Sequence, residues 1–234
     1  MWPVSDTALH HPNPTGFAHQ FEDLEQQLEA GRLGMWIFLA TEILFFGGMF
    51  TSYTIYRALH LPSFIIGSHQ LEVQFGATNT VVLICSSLTM ALAIRAAQTG
   101  KNKSSIIFWL ILTMILGALF LGLKLRFEWY HDYVEHIVPG FGFQYRPEWG
   151  SAAPGVQMFM CFYFFMTGLH ALHMVVGLGL LGVLVGMAAR GRFTSQYYVP
   201  LEISGLYWHF VDIVWIFLFP LLYLIGGRYM TGGH

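Results

Sequence analysis

Five stretches of this chain are each long and apolar enough to cross a bilayer, and that restricts the fold to a bundle of helices. They run over roughly 34–57, 76–98, 104–126, 154–188 and 201–226, against about 20 apolar residues needed for one span. Backbone groups in hydrocarbon must find their hydrogen bonds within the segment, so a single run of this kind is helical. Composition agrees: 55% of the 234 residues are hydrophobic and 10% are charged, where a soluble domain carries about 25% charge. The expected class is all-α, a polytopic membrane bundle with five transmembrane helices. The fourth stretch exceeds one span and is expected to tilt, kink or project. A net charge of −2 gives no reason to expect nucleic acid as a partner.

The polar remainder divides into an arm, a loop and a tail. Residues 1–33 read as a cytoplasmic N-terminal arm with Pro3, Pro12 and Pro14 and no signal-peptide pattern, so the first span is expected to direct insertion. Within the arm, Phe21, Leu24 and Leu28 share a face, which predicts a short amphipathic helix over 20–31. Residues 127–153 form an extracytoplasmic loop rich in aromatics and in both charges. Its first half, Phe127 to Val138, continues the third helix until Pro139-Gly140 stops it. Residues 227–234 are a C-terminal tail. Arg32, Arg95, Lys101, Lys103, Arg190 and Arg192 fall on one side of the membrane, and Arg57, Lys124, Arg126, Arg146 and Arg228 on the other. The totals nearly balance, but short basic connections weigh most, which places the N-terminus in the cytoplasm and the C-terminus outside. Cys85 and Cys161 lack a CxxC or metal-ligand spacing and read as small core hydrophobes.

Ionisable groups inside the spans are expensive and need a partner or a task. Glu42 lies eight residues past Gly34, about 12 Å along the first helix. At that depth a carboxyl group is protonated or tightly paired. It is either an interhelical hydrogen-bonding acid or a proton-linked group. His170 and His173 are spaced i, i+3 and share a face. Interhelical hydrogen bonding explains them better than a metal or haem, because two neighbours on one helix cannot ligate an iron from opposite sides. His209 and Asp212 are likewise three apart, and Glu202 lies two turns before His209. Asn79, with Thr78 and Thr80, offers further hydrogen bonds to the same bundle. Trp36, Trp109, Trp208 and Trp215 read as packing and interface anchors. No Walker loop, GxSxG or HExxH motif is present, so no catalytic residue and no metal ligand is expected.

Four of these segments resemble one family in the same order. Gly34-Met-Trp-Ile-Phe-Leu-Ala-Thr-Glu42-Ile-Leu-Phe-Phe-Gly-Gly resembles the glutamate-bearing helix of subunit III of haem-copper cytochrome c oxidases. Ala77-Thr-Asn-Thr-Val-Val-Leu, followed by Ser86-Ser-Leu-Thr-Met, resembles the next helix. Thr167-Gly-Leu-His-Ala-Leu-His-Met-Val-Val-Gly177 resembles its TGFHGLH stretch. Glu202 with Tyr207-Trp-His-Phe-Val-Asp-Ile-Val-Trp215 resembles its closing signature. The match runs over roughly 34–226. Larger members have seven spans, and this chain starts at what corresponds to their third. Five-span members, the quinol oxidase type among them, also exist. Where many members carry His-x-Gly-x-Glu, this chain reads Tyr198-Val-Pro200-Leu-Glu202, and the loop from Tyr130 to Gly150 has no evident counterpart.

The resemblance implies an accessory subunit of an aerobic respiratory oxidase, with haem and copper in partner subunits and none bound by this chain. It implies subunits I and II as partners, and a small subunit IV or a larger supercomplex as candidates for the 127–153 loop. It implies structural phospholipid in a helix cleft, support of proton uptake, and a multi-pass location in the bacterial inner membrane. Arg190, Arg192, Trp36 and Trp208 are then the candidates for lipid contact. Glu42 matches the family's buried carboxylate, and His170, His173, Glu202, His209 and Asp212 its polar cluster. A cytochrome c oxidase is the preferred reading and a quinol oxidase the alternative; the donor docks on subunit II and is not read from this chain. From other classes, a free-standing proton-coupled transporter should show inverted repeats, and none is seen; a haem-binding cytochrome b-like subunit is a third option.

Overall fold

The computed structural model describes residues 24–140, 142–194 and 197–225. Among these there is no strand, and five helices are long and apolar enough to span a membrane: α1 (Leu24–Leu59), α3 (Val73–Gln98), α4 (Lys103–Leu123), α6 (Ala153–Ala189) and α7 (Val199–Tyr223). Among the described residues there are also two shorter α-helices, α2 (Leu61–Ser68) and α5 (Tyr130–Val134), and a 3-10 helix over Pro147–Ala152. The arm up to residue 23, Phe21 included, and the tail over 227–234 lie outside the described residues.

The amphipathic helix expected over 20–31 is not a separate element where it is described. From Leu24 onward it is the first turns of α1. Nothing between Leu28 and Gly34 breaks a helix, and Gly31 lets Ile203 of α7 come close: a Cβ there would sit 3.2 Å from its Cδ1. At 1.5 Å per residue the 36 residues of α1 reach about 54 Å, well beyond a hydrocarbon core of about 30 Å. The 37 residues of α6 overshoot similarly.

The segment between α1 and α3 reads as plain connection in the sequence but holds α2. Pro62 in its first turn has no N–H to lose there. The helix lies across α6 because glycines let it: Gly67 faces the ring of Phe159, and Gly155 of α6 faces Ser63. Phe64, Phe159 and Tyr53 fill the junction, with Phe64 and Phe159 edge to face at 5.6 Å.

Beyond α4 the helix widens into a π-helical turn over Lys124–Trp129 and tightens again as α5. It ends at Val134, four residues before the expected stop. His136 takes a left-handed φ of 54°. That turns the chain so that the Ile137 and His136 N–H groups bond back to the carbonyls of Asp132 and Tyr133, at 3.1 and 3.2 Å. Pro139-Gly140 therefore follows a helix already capped. Glycine accepts this conformation without the Cβ penalty, so His136→Gly should raise thermal stability in detergent, by about 0.5–1 kcal/mol. The loop then folds back over the bundle's end, burying Ile137, Phe143 and Trp149.

The core lies where α3, α4, α6 and α7 meet around two indoles. The Trp208 ring fits between Gly117 of α4 and Gly177 of α6; a Cβ at either would come within 2.7 or 3.0 Å of it. Its Nε1 donates to Ser86 Oγ of α3 at 3.2 Å. Two turns on, Trp215 Nε1 donates to Thr80 Oγ1 at 3.1 Å, and Phe120 meets its ring edge to face at 4.8 Å. Small residues that let backbones approach, with polar side chains between them, are how membrane helices associate. The outward faces are equally apolar, with Leu44, Leu88 and Val183 all exposed. Cys85 and Cys161 are on these outward faces, not in the core as expected. An apolar neighbourhood cannot distinguish inside from outside when the solvent is lipid.

Candidate functional site

The polar residues singled out in the sequence do not converge on one point. They form separate ties between helices. The first joins α1 to α6: Glu42 Oε2 lies 3.2 Å from His173 Nε2. His173 Nδ1 is 2.8 Å from the carbonyl of Leu169. A carbonyl only accepts, so Nδ1 carries the hydrogen and Nε2 is left for the carboxyl group. Phe46 of α1 packs edge to face on the imidazole at 5.4 Å, and Tyr207 of α7 donates to the His173 carbonyl at 2.9 Å.

His170 does something different from His173. It is 1% exposed and lies between Phe120 and Trp215, with ring centroids at 5.5 and 5.3 Å. Neither of its ring nitrogens has a partner among the described residues. Glu202, expected to share the face of His209, instead pairs with Arg32 of α1 at 3.0 Å. Asn79 is fully buried, and its amide atoms have no partner among the described residues. Trp36 is exposed on α1, and Arg190 and Arg192 are exposed just past the end of α6. Trp208, also a candidate for lipid contact, is a core side chain at 1% exposure and presents no surface to lipid.

His209 and Asp212 both turn to α3 but not to each other. His209 Nδ1 meets Ser87 Oγ at 2.6 Å. Asp212 lies within reach of Ser86 and Ser87, with a long contact of 3.5 Å from Oδ2 to Ser86 Oγ. Ser87 also reaches the Asp212 carboxyl group, so His209→Ala and Asp212→Ala should couple through that serine by about 0.5–1 kcal/mol in a double-mutant cycle. A coupling above about 1 kcal/mol would show that the two share a bond.

The most developed polar site was missed in the sequence. Lys124, counted there as an external charge, is 2% exposed. Its Nζ donates to Glu128 Oε2 at 2.5 Å, to Tyr163 OH of α6 at 2.9 Å and to Tyr223 OH of α7 at 2.5 Å. Both tyrosines pass their own hydrogens to Glu128, Tyr163 at 3.0 Å. The ammonium also sits 4.5 Å from the Tyr163 ring centre and 5.2 Å from that of Trp215. One turn on, Asp132 is 3% exposed. The signal was available as spacing: Lys124, Glu128 and Asp132 are each four apart and define one helical face. Reading 127–153 as an extramembrane loop concealed it.

No three His, Cys, Asp or Glu side chains gather as metal ligands among the described residues. The arrangement is chemically a set of interhelical locks: histidine–carboxyl, histidine–serine and a lysine–glutamate–tyrosine ring, each joining two or three helices.

Fold and locks together define a polytopic membrane subunit that uses several of its polar residues to tie its own helices together. The chain belongs to the cytochrome c oxidase subunit III family, whose model matches residues 23–227. It is 31% identical to the quinol oxidase subunit 3 of Bacillus subtilis, over 87% of this chain and 92% of that protein. It is 34% identical to the cytochrome bo(3) ubiquinol oxidase subunit 3 of Pseudomonas aeruginosa, over 82% and 84%. With the cytochrome c oxidase subunit 3 of Corynebacterium diphtheriae it shares 33% identity, over 82% and 87%.

Proposed function

We propose that this chain is the accessory, non-redox subunit of an aerobic terminal oxidase. In this reading it stabilises the catalytic subunit, holds phospholipid in a cleft between helices and supports proton uptake. The observation that carries it is the dispersal of the intramembrane histidines. His170, His173 and His209 face an aromatic cage, a carboxyl group and a serine respectively, which suits fixed packing better than a shared cofactor. Haem and copper belong to subunits I and II. The exposed Arg190 and Arg192, on the side of Arg32, Lys101 and Lys103, suit anionic lipid head groups at a cytoplasmic face of a bacterial inner membrane. The burial of Lys124 removes one base from the opposite side and strengthens that orientation.

A cytochrome c-oxidising complex is the first reading, by the family resemblance. A quinol-oxidising complex is the second reading, favoured by the names of the Bacillus and Pseudomonas relatives. Purification in mild detergent should recover the chain with a haem-bearing partner, oxidase turnover and retained phospholipid, and the donor oxidised then decides between the two. A chain that purifies alone and moves a substrate across liposomes would overturn the proposal.

A further inference from the structure

Asp212 lines an outward-opening groove without a full set of hydrogen bonds among the described residues. The groove, of about 390 Å³, runs between α3 and α7, with Leu88 and Ile213 on its exposed rim and Ser87, His209 and Asp212 along its floor. Asp212 is 3% exposed, and its Oδ1 has no hydrogen-bond partner among the described residues. Its Oδ2 is little better served. Ser86 has one hydroxyl hydrogen and two acceptors in reach, the Leu83 carbonyl at 2.9 Å and Asp212 Oδ2 at 3.5 Å. The nearer carbonyl takes the hydrogen, and Ser87, also within reach of the carboxyl group, makes its short contact with His209 Nδ1 at 2.6 Å. Neither serine gives the carboxyl group a short bond.

Depth selects what can complete it. Asp212 is thirteen residues from Val199 and eleven from Tyr223, so it lies midway along α7, about 16–20 Å from either helix end. The hydrocarbon core extends only about 15 Å to each side of the midplane. Head groups, which lie beyond the hydrocarbon, do not reach this groove, and acyl chains carry no donor. What remains is a polar side chain on another membrane helix, which gains most where no water competes for the same acceptor.

We infer that the α3–α7 groove is the docking face for a transmembrane helix of the oxidase's catalytic subunit, which inserts a hydrogen-bond donor at mid-bilayer toward Asp212. The occupant is read from the depth and the missing donor, and the naming of that subunit rests on the accessory-subunit proposal above.

The test places a photo-reactive benzoylphenylalanine at Leu88, at Ile213 and, for comparison, at the exposed Phe165 of α6 in the oxidase complex purified from native membranes. Irradiation should join Leu88 and Ile213, but not Phe165, to a membrane helix of the haem-bearing subunit, identified by peptide mass. In parallel, Asp212→Leu should cut retention of the chain on the detergent-washed complex about tenfold. Asp212→Asn, which keeps an oxygen acceptor, should stay within about twofold of the unaltered chain. Adducts from Leu88 and Ile213 to lipid or to a second copy of this chain would overturn the docking face. So would haem-subunit adducts confined to Phe165. Each of those results leaves the accessory role standing. Failure of the unaltered chain to co-purify with any haem protein would remove both proposals.

Discussion

Lys124→Met should be among the most damaging single substitutions in this bundle. Methionine fills much of the same volume, but it leaves the Glu128 carboxylate buried without its cation and strips the Tyr163 and Tyr223 hydroxyls of a shared donor. Removing one member of a buried ion pair costs about 3–5 kcal/mol, because the charge left behind is uncompensated. Unfolding in mixed micelles should show a loss of that size. The double variant Lys124→Met/Glu128→Leu should recover most of it, since no charge is then stranded. A double variant as unstable as the sum of its parts would mean that the ammonium and the carboxylate do not compensate each other.

Trp208→Ala should rival it by another route. The indole fills the space between Gly117 and Gly177 and donates to Ser86. Its removal opens a cavity that two glycines cannot close and leaves the serine without a donor. Core tryptophan-to-alanine changes cost about 3–5 kcal/mol. Trp36→Ala, on an exposed position of α1, should stay within about 0.5 kcal/mol by the same assay. A small effect at Trp208 would show that α4 and α6 collapse freely onto α7.

Some of this was readable from residues alone. The five spans were, because sustained hydrophobicity is a signal along one dimension and needs no knowledge of neighbours. The family was readable for the same reason, since four motifs lie in order along the chain. Inside and outside were not. Cys85 faces outward and Trp208 inward, yet both sit in equally apolar sequence. Partners were also concealed. His209 and Asp212 share a helix face, and spacing alone invites a bond between them, but the serines of α3 take both. Glu202 shares that face too and is captured by Arg32 at the bundle's end. Helix α2 escaped notice because eight residues carry too little periodicity. The Lys124 ring escaped because a charged, aromatic stretch resembles loop until the opposing tyrosines, 39 and 99 residues away, are seen beside it.

The π-helical turn at Lys124–Trp129 has a consequence for how the chain could change. A wide turn accommodates one residue more than an ordinary one, and each residue advances an α-helix by about 100°. Deleting a single residue there, such as Leu125, would therefore let the helix close normally and leave Tyr130–Val134 on the faces they now present. Asp132 would stay enclosed, whereas a deletion past the wide turn, at Tyr130, would move it to the exposed place of His131 and carry Tyr133 into the enclosed one. The wide turn thus makes the aim of that acid tolerant of one residue lost within it. A one-codon deletion there would leave Asp132 in place, while the same deletion one turn later would redirect it.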